Sequence, residues 1–291
     1  LLTHNNWHPL KIFKTRSEIT QYLEEQKKAG KSIGFIPTMG ALHKGHLSLI
    51  SEAGKLSDCV VCSIFVNPTQ FNDPSDLAKY PRPILKDIEL LQQTNCDVLF
   101  NPEVSEIYPE PQNWHIDLGE LENILEGKFR PGHYQGVTQI VYKLFMIVKP
   151  DYAFFGQKDY QQCMIIQKMI DQLSLPVKLV INPIIRDEDG LAMSSRNIHL
   201  SESERAHALI LSQTLTELKN KFDLNQMEDL IQNAKANINK EPYIELDYLE
   251  IVNSENLHTD NIAEETPLIA LIAAKAGKTR LIDNIIIRQP K

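Results

Sequence analysis

A chain of 291 residues with 42% hydrophobic and 23% charged residues has the composition of an ordinary globular protein, with length for a large core and two domains. A formal net charge of −8 without any Lys/Arg cluster argues against a nucleic-acid binder, while a local positive site for a small anion stays compatible with an acidic surface. No apolar run approaches the ~20 residues of a membrane span, "LLTHNNWHPLKIF" lacks a signal-peptide pattern, and four cysteines are too few for a disulfide framework, so a cytoplasmic protein is expected.

In chain order, "SIGFIPT" (32–38) predicts a buried strand and "HLSLISEAGKL" a helix with Leu47, Ile50 and Gly54 on one face. "DCVVCSIFVN" (58–67) predicts a second buried strand. Cys59 and Cys62 within it form a C-x-x-C, but residues three apart on a strand point to opposite faces, so the thiols are expected to be structural. "CDVLFNP" (96–102) predicts a strand, as do "DYAFFG" (151–156) and "PVKLVINPI" (176–184). Between them, "GVTQIVYKLFMIVK" places Val137, Ile140, Val141, Leu144, Phe145 and Val148 at helical spacing, and "DYQQCMIIQKMIDQL" continues the alternation. Strands alternating with helices predict a Rossmann-like α/β domain with a parallel sheet over residues 1–183. Beyond it, "SESERAHALILSQTLTELKNKF" predicts a helix capped by Ser201 and Glu204. A helix over roughly 226–239 and three strand-like runs, "YIELDYLEIV", "PLIALIAAKAG" and "TRLIDNIII", complete a smaller α+β domain over 184–291.

Two segments offer chemistry. "PTMGALHKGH" joins the first strong strand to a helix and carries His43 and His46, with no acidic side chain between them. It is no P-loop, because His46 and Leu47 stand where Lys and Ser/Thr are required. Backbone N–H groups at a helix start favour phosphate, and imidazoles donate to oxygens on which charge grows. Two surface histidines at a helix cap are the plainer reading. "RDEDGLAMSSRN" (186–197) joins an Asp189-Gly190 turn to two hydroxyls and Arg196, either a loop that closes over phosphates or a polar linker.

Taken in order, "IPTMGALHKGHLSLI", "FVNPTQFN", "YPRP", "EGKFRPGHYQGV", "FFGQKDYQQ" and "RDEDGLAMSSRN" resemble the pantothenate synthetase family, of the HxGH nucleotidyltransferase superfamily, over nearly the whole chain from about residue 10. The resemblance implies ATP-dependent joining of pantoate to β-alanine through a pantoyl adenylate, with Mg²⁺, in a homodimer whose C-terminal domain acts as a lid. It implies that His43, His46 and Lys158 contact phosphate and that Ser194, Ser195 and Arg196 form a mobile phosphate loop. Met39, Gly40, Gly156, Asp159 and Met193 then line the nucleotide site, while Gln70 and Gln162 hold pantoate beside Met39. Arg130 and His133 fall near the entrance, and Asp87, with Tyr80 and Arg82 before it, falls where the family helps bind Mg²⁺. Phe65 and Phe71 are candidates to pack on the gem-dimethyl group of pantoate. Gln157 departs from the pattern, which often has an acidic residue there, and the opening residues, including His4 and His8, match nothing. A related transferase acting on a phosphorylated acceptor, or a non-catalytic nucleotide- or RNA-binding module, would retain HxGH. The first should lack the paired glutamines, and Lys158 and Arg196 argue against a decayed site in the second.

Overall fold

A computed structural model describes residues 9–110 and 112–289, so His4 and His8 lie outside the described residues. The elements run β1 (Lys11–Phe13), α1 (Arg16–Lys28), β2 (Ile33–Thr38), α2 (Lys44–Leu56), β3 (Cys59–Ile64), α3 (Pro74–Lys79), α4 (Ile84–Leu91), β4 (Val98–Phe100), α5 (Val104–Ile107), α6 (Glu126–Phe129) and α7 (His133–Val148). They continue with β5 (Tyr152–Gly156), α8 (Tyr160–Gln172), β6 (Lys178–Asn182), α9 (Glu202–Asn220), α10 (Met227–Ile238), β7 (Ile244–Asn253), β8 (Leu268–Ala276) and β9 (Thr279–Arg288). Two compact units result. The first takes Leu1–Glu122, Arg130–Gly156 and Gln162–Asn182; the second takes Asn123–Phe129, Gln157–Gln161 and Pro183–Lys291.

Among the described residues, the first unit holds a parallel sheet of order β1-β4-β3-β2-β5-β6. Parallel strands covered on both faces read as near-continuous apolar runs, which is why β2, β3, β4 and β5 appear where the sequence predicts them, while the edge strand β6, also where predicted, is partly exposed. Ile33, Phe35, Cys59 and Val61 point into a core shared with Ile19 of α1, Val137, Ile140, Leu144 and Val148 of α7, and Ile165 of α8. Ile36, Val60 and Cys62 point the other way, against Leu49, Ile50 and Ala53 of α2 and Leu91 of α4. The two thiols therefore lie on opposite faces, and burial pushes each up to about 12, as a structural role requires. On the inward face of α2, Ile50 is buried and Leu47 packs at the edge of the core as expected, joined by Leu49 and Ala53, whereas Gly54 is exposed. The helix begins at Lys44 and turns its Leu49, Ile50 and Ala53 inward, so that Ala53 and not Gly54 takes the last inward position.

β2 pairs with β3 along its whole length, from Ile33 to Thr38, but with β5 only at Gly34 and Phe35. Ile33 O accepts from Asp151 N on the β5 side and Thr38 O accepts from Phe65 N on the β3 side. By strand alternation, Pro37 therefore turns its missing N–H toward β5, where the two strands have already parted. Strand order reverses between β2 and β5, and in open α/β sheets ligands bind beyond the carboxyl ends of the strands at such a point.

The second unit holds the antiparallel sheet β7-β8-β9. One face packs Leu249, Ile251, Ala270, Ile272 and Leu281 against Ala208, Leu211 and Leu215 of α9 and Ile231 of α10. The expected capping box is present: Ser201 Oγ accepts the Glu204 N–H while the Glu204 carboxylate accepts the Ser201 N–H. On the opposite face, Arg280 forms a bidentate pair with Glu126 at 2.6 and 2.7 Å and donates to Asp247 at 2.6 Å. Tyr248 also donates to Glu126. Glu126 N donates in turn to Gln161 Oε1, and Gln161 Nε2 to Ile124 O. This network fastens 123–129 and 157–161 to the smaller sheet.

Candidate active site

The sharp exit of the chain from β2 sets the first half of the site. Thr38 Oγ1 donates to Ser63 O and accepts the Gly40 N–H, tying the ends of β2 and β3 together. Gly40 has φ +82°, and a Cβ there would meet Ile64 Cγ2 at 2.9 Å and Asp87 Oδ2 at 3.0 Å, so only glycine fits this close, left-handed turn. Beneath it, Asp87 is 1% exposed, and its carboxylate accepts Ala41 N–H and Leu42 N–H, each at 2.8 Å. Burial raises this carboxyl above its ordinary range, opposed by the two backbone donors.

The histidines then close the helix start. His43 is the N-cap of α2; its Nδ1 accepts Gly45 N–H at 3.2 Å, and His46 Nδ1 accepts His43 N–H at 3.3 Å. This is a capping box built from two imidazoles, with ring centroids 4.0 Å apart. A ring nitrogen that accepts an N–H carries no proton, so these hydrogen bonds assign the proton of each neutral ring to Nε2. Two N–H donors and the positive end of a helix without an acidic first turn meet at the carboxyl edge of the central strand.

Met39 leads to a second cluster. Gln70 donates through Nε2 to Met39 Sδ at 3.2 Å, and its Oε1 accepts from Asn67 Nδ2 at 3.2 Å. Asn67 is 1% exposed; its Oδ1 accepts from Tyr108 and Thr69, and its Nδ2 also donates to Gly136 O. Arg130 Nη1 donates to His133 Nε2 at 2.9 Å, which leaves the His133 proton on Nδ1, where it donates to Gln70 O at 2.8 Å. Gly136 makes the approach of α7 to this segment possible. A Cβ there would lie 2.3 Å from Thr69 O and 2.8 Å from Gln70 Cα. Gln162 stands half-buried in the same unit, and no hydrogen bond of its amide occurs among the described residues. Phe65 is buried against Tyr108, whereas Phe71 meets Tyr80 edge-on with ring centroids 5.8 Å apart. Gly156 ends β5, and a Cβ on it would have no atom within 4 Å.

The remaining candidates belong to the second unit. Lys158 lies in a 3₁₀ turn, Gln157–Asp159, with its ammonium 3.6 Å from Asp159. Arg186 and Ala192 pair as a tight hairpin around Gly190, at φ +94°. Arg205 clamps Asp187 and Asp189, and Arg186 forms a bidentate pair with the buried Asp283. Met193 is buried at the hairpin's end. Ser194 caps the following 3₁₀ turn, Ser195–His199, through Arg196 N–H. Sequence reading passed over Asn67, Gly136 and the Asp283–Asn284 pair. Their signal was a polar residue or glycine set inside an apolar element.

The structure thus brings Met39, Gly40, His43, His46, Gln70 and Asp87 around the end of β2, and Lys158 and Asp159 into one turn. Asp87 lies beneath the Gly40 turn, with both carboxylate oxygens accepting from the loop above. Among the described residues no group of three or more His, Cys, Asp and Glu could hold a metal ion, and no helix is long and apolar enough to cross a membrane.

Residues 11–286 match the family model described as Pantoate-beta-alanine ligase. A pantothenate synthetase of Desulfitobacterium hafniense is 46% identical over 278 residues, covering 95% of this chain and 98% of that one. The crystal structure of pantothenate synthetase from Thermus thermophilus superposes with a TM-score of 0.88 at 37% identity, over 96% of this chain and 100% of that one. A pantoate–β-alanine ligase from Francisella tularensis, solved in complex with Beta-gamma ATP and β-alanine, gives 0.80 at 35% identity, over 96% and 98%. With its sheet order, its imidazole-capped helix and a match over nearly its full length, the chain belongs to the pantoate–β-alanine ligase family.

Proposed function

We propose that the residues gathered at the end of β2, together with Lys158, Asp159, Met193, Ser194, Ser195 and Arg196, carry out the family's reaction in this chain. The enzyme is an AMP-forming ligase that condenses pantoate with β-alanine at the expense of ATP. The pantoate carboxylate attacks the α-phosphorus of ATP, the bond to the β,γ-pyrophosphate breaks, and pantoyl adenylate forms. The β-alanine amine then adds to the acyl carbon and expels AMP. No side chain acts as a nucleophile, so the protein contributes placement and charge stabilisation.

In this reading, His43 and His46 donate from Nε2 to phosphate oxygens, Lys158 and Arg196 neutralise charge on the leaving pyrophosphate, and Ser194 and Ser195 donate to it. Met39 and Gly40 line the adenylate site, Gly156 admits the nucleotide close to the backbone, and Asp159 steadies Lys158 or the ribose. Gln70 and Gln162 hold the pantoate hydroxyl and carboxylate without importing charge. The observation that carries this reading is the reciprocal imidazole cap, which puts two N–H donors at the start of α2. Mg²⁺ enters as part of the nucleotide substrate, held by phosphate oxygens and water, while Asp87 keeps the loop in shape. A cytoplasmic homodimer is part of the same proposal, and light scattering on the purified chain decides its oligomeric half.

ATP–pyrophosphate exchange with pantoate present and β-alanine absent tests the reaction. Exchange that requires pantoate, followed by pantothenate release on adding β-alanine, is expected. Binding of ATP without exchange would sink the assignment.

A further inference from the structure

Between β5 and α8, the turn that carries Lys158 is tied down by a residue far along the chain. Asn284 of β9 is 1% exposed. Its Nδ2 donates to Gln157 O at 2.9 Å and to Lys158 O at 3.0 Å, and its Oδ1 accepts from Gln157 Nε2 at 3.0 Å. Every hydrogen-bonding position of the amide hydrogens and one on the oxygen is thus turned to two consecutive residues. The preceding residue braces it. Asp283 Oδ1 accepts Asn284 N–H at 2.7 Å, and both Asp283 oxygens receive the Arg186 guanidinium, at 2.6 and 3.0 Å. Successive strand residues face opposite ways, so Asp283 grips the base of the 186–192 hairpin while Asn284 grips the Lys158 turn. Arg186 also donates to Gly190 O.

We propose that Asn284 is a positioning residue for adenylation: by fixing the main chain at Gln157 and Lys158, it presents the Lys158 ammonium to the phosphates. The inference rests on the phosphate role proposed above for Lys158. Asn284 itself touches no reacting atom. Lysine is a point charge on a long, flexible stem, and the 3₁₀ turn that carries it is short, so the anchor of its backbone decides where that charge stands.

The test is pantoate-dependent ATP–pyrophosphate exchange in Asn284→Ala, in Lys158→Ala and in the double variant. Misplacement by about 1 Å can lower a rate on the order of 10²-fold, so Asn284→Ala should lose roughly 10- to 100-fold in exchange. The loss should fall on ATP, with the pantoate KM held within about twofold. The double variant should match Lys158→Ala alone, because a residue acting through Lys158 has nothing to act on once the lysine is gone. A buried asparagine that only satisfied carbonyls would lower stability and produce neither the split nor the non-additivity. Wild-type exchange in Asn284→Ala beside a crippled Lys158→Ala overturns this inference alone, and so do losses that multiply in the double variant. Wild-type exchange in Lys158→Ala overturns the reading of Lys158 beneath it. Should Asn284→Ala fail to fold by circular dichroism, Gln157→Ala decides, since it removes one of the three bonds from a half-buried position. A loss of roughly threefold to tenfold upholds the proposal, and unchanged exchange overturns it.

Discussion

In the proposed site His46 has two tasks, one for each nitrogen, and substitutions can separate them. Asparagine places an oxygen where Nδ1 stands, so His46→Asn should keep the hydrogen bond from His43 N–H and the helix start, yet lose the Nε2 donor. His46→Ala loses both. Adenylation, read by pyrophosphate exchange, should fall roughly 10²- to 10⁴-fold in each, while the melting temperature falls in the alanine variant alone. Near-normal turnover in either would remove His46 from the chemistry. Asp87 works under the loop. Replacing it with alanine leaves the Ala41 and Leu42 N–H groups without their acceptor, at about 1–3 kcal/mol for each buried donor. Asp87→Ala should therefore melt several degrees lower and lose exchange through a disordered turn. The pH dependence has a defined sign. Because burial raises the folded carboxyl above its ordinary 3.8, the folded chain holds that proton more tightly than the unfolded one. The pH-dependent part of the Asp87 contribution is then fully present below the ordinary value and is lost as pH rises through the folded value, the two backbone hydrogen bonds remaining on either side. Calorimetry across the acid range should show this slope in the wild type and lose it in Asp87→Asn.

Among the elements, α7 lies so close to Pro68–Gln70 that one glycine decides the distance. In Gly136→Ala the new methyl would overlap the main chain at Thr69, where a Cβ stands 2.3 Å from the carbonyl oxygen, and backbone cannot swing aside as a side chain does. The pantoate KM should rise at least roughly tenfold, with the ATP KM little changed. An unchanged pantoate KM would dissociate this segment from pantoate. The fully buried strands were legible in the sequence because both of their faces are apolar. β1 was not, being three residues long with two exposed, nor was α1, which buries only Ile19 and Leu23 of its thirteen residues. Of the site, the histidine turn was legible because its parts are neighbours in sequence. Gln70 and Gln162 came from resemblance alone. Asn284 was hidden because its partners lie 126 and 127 positions away, a distance at which no local pattern speaks. The two backbone N–H groups that Asp87 accepts were not legible, because a sequence does not show which donors a buried acid will meet.

Across the whole molecule, the chain gives the segments 123–129 and 157–161 to the smaller sheet, although each lies between elements of the larger unit. Arg280 holds the first of them, through Glu126, as Asn284 holds the second: two carboxylates, of Glu126 and Asp247, surround the Arg280 guanidinium and raise its already high pKa, against the opposing effect of burial. Arg280→Met would leave both acids buried and unpaired, at about 3–5 kcal/mol, a drop that thermal unfolding would record directly. A melting curve unchanged by that variant would mean the network contributes nothing net. Gly156 presents the reverse case. Its backbone is not in the left-handed region, and a Cβ there would touch nothing, so alanine would fit the folded chain and restrict the unfolded one, with a gain of about 0.4–1 kcal/mol. Gly156→Ala should therefore melt no lower than the wild type while failing at exchange. If the nucleotide lies against the main chain there, as proposed, the residue that would suit the fold alone is the one the reaction forbids, and the open space beside Gly156 is kept for a molecule that is no part of the polypeptide.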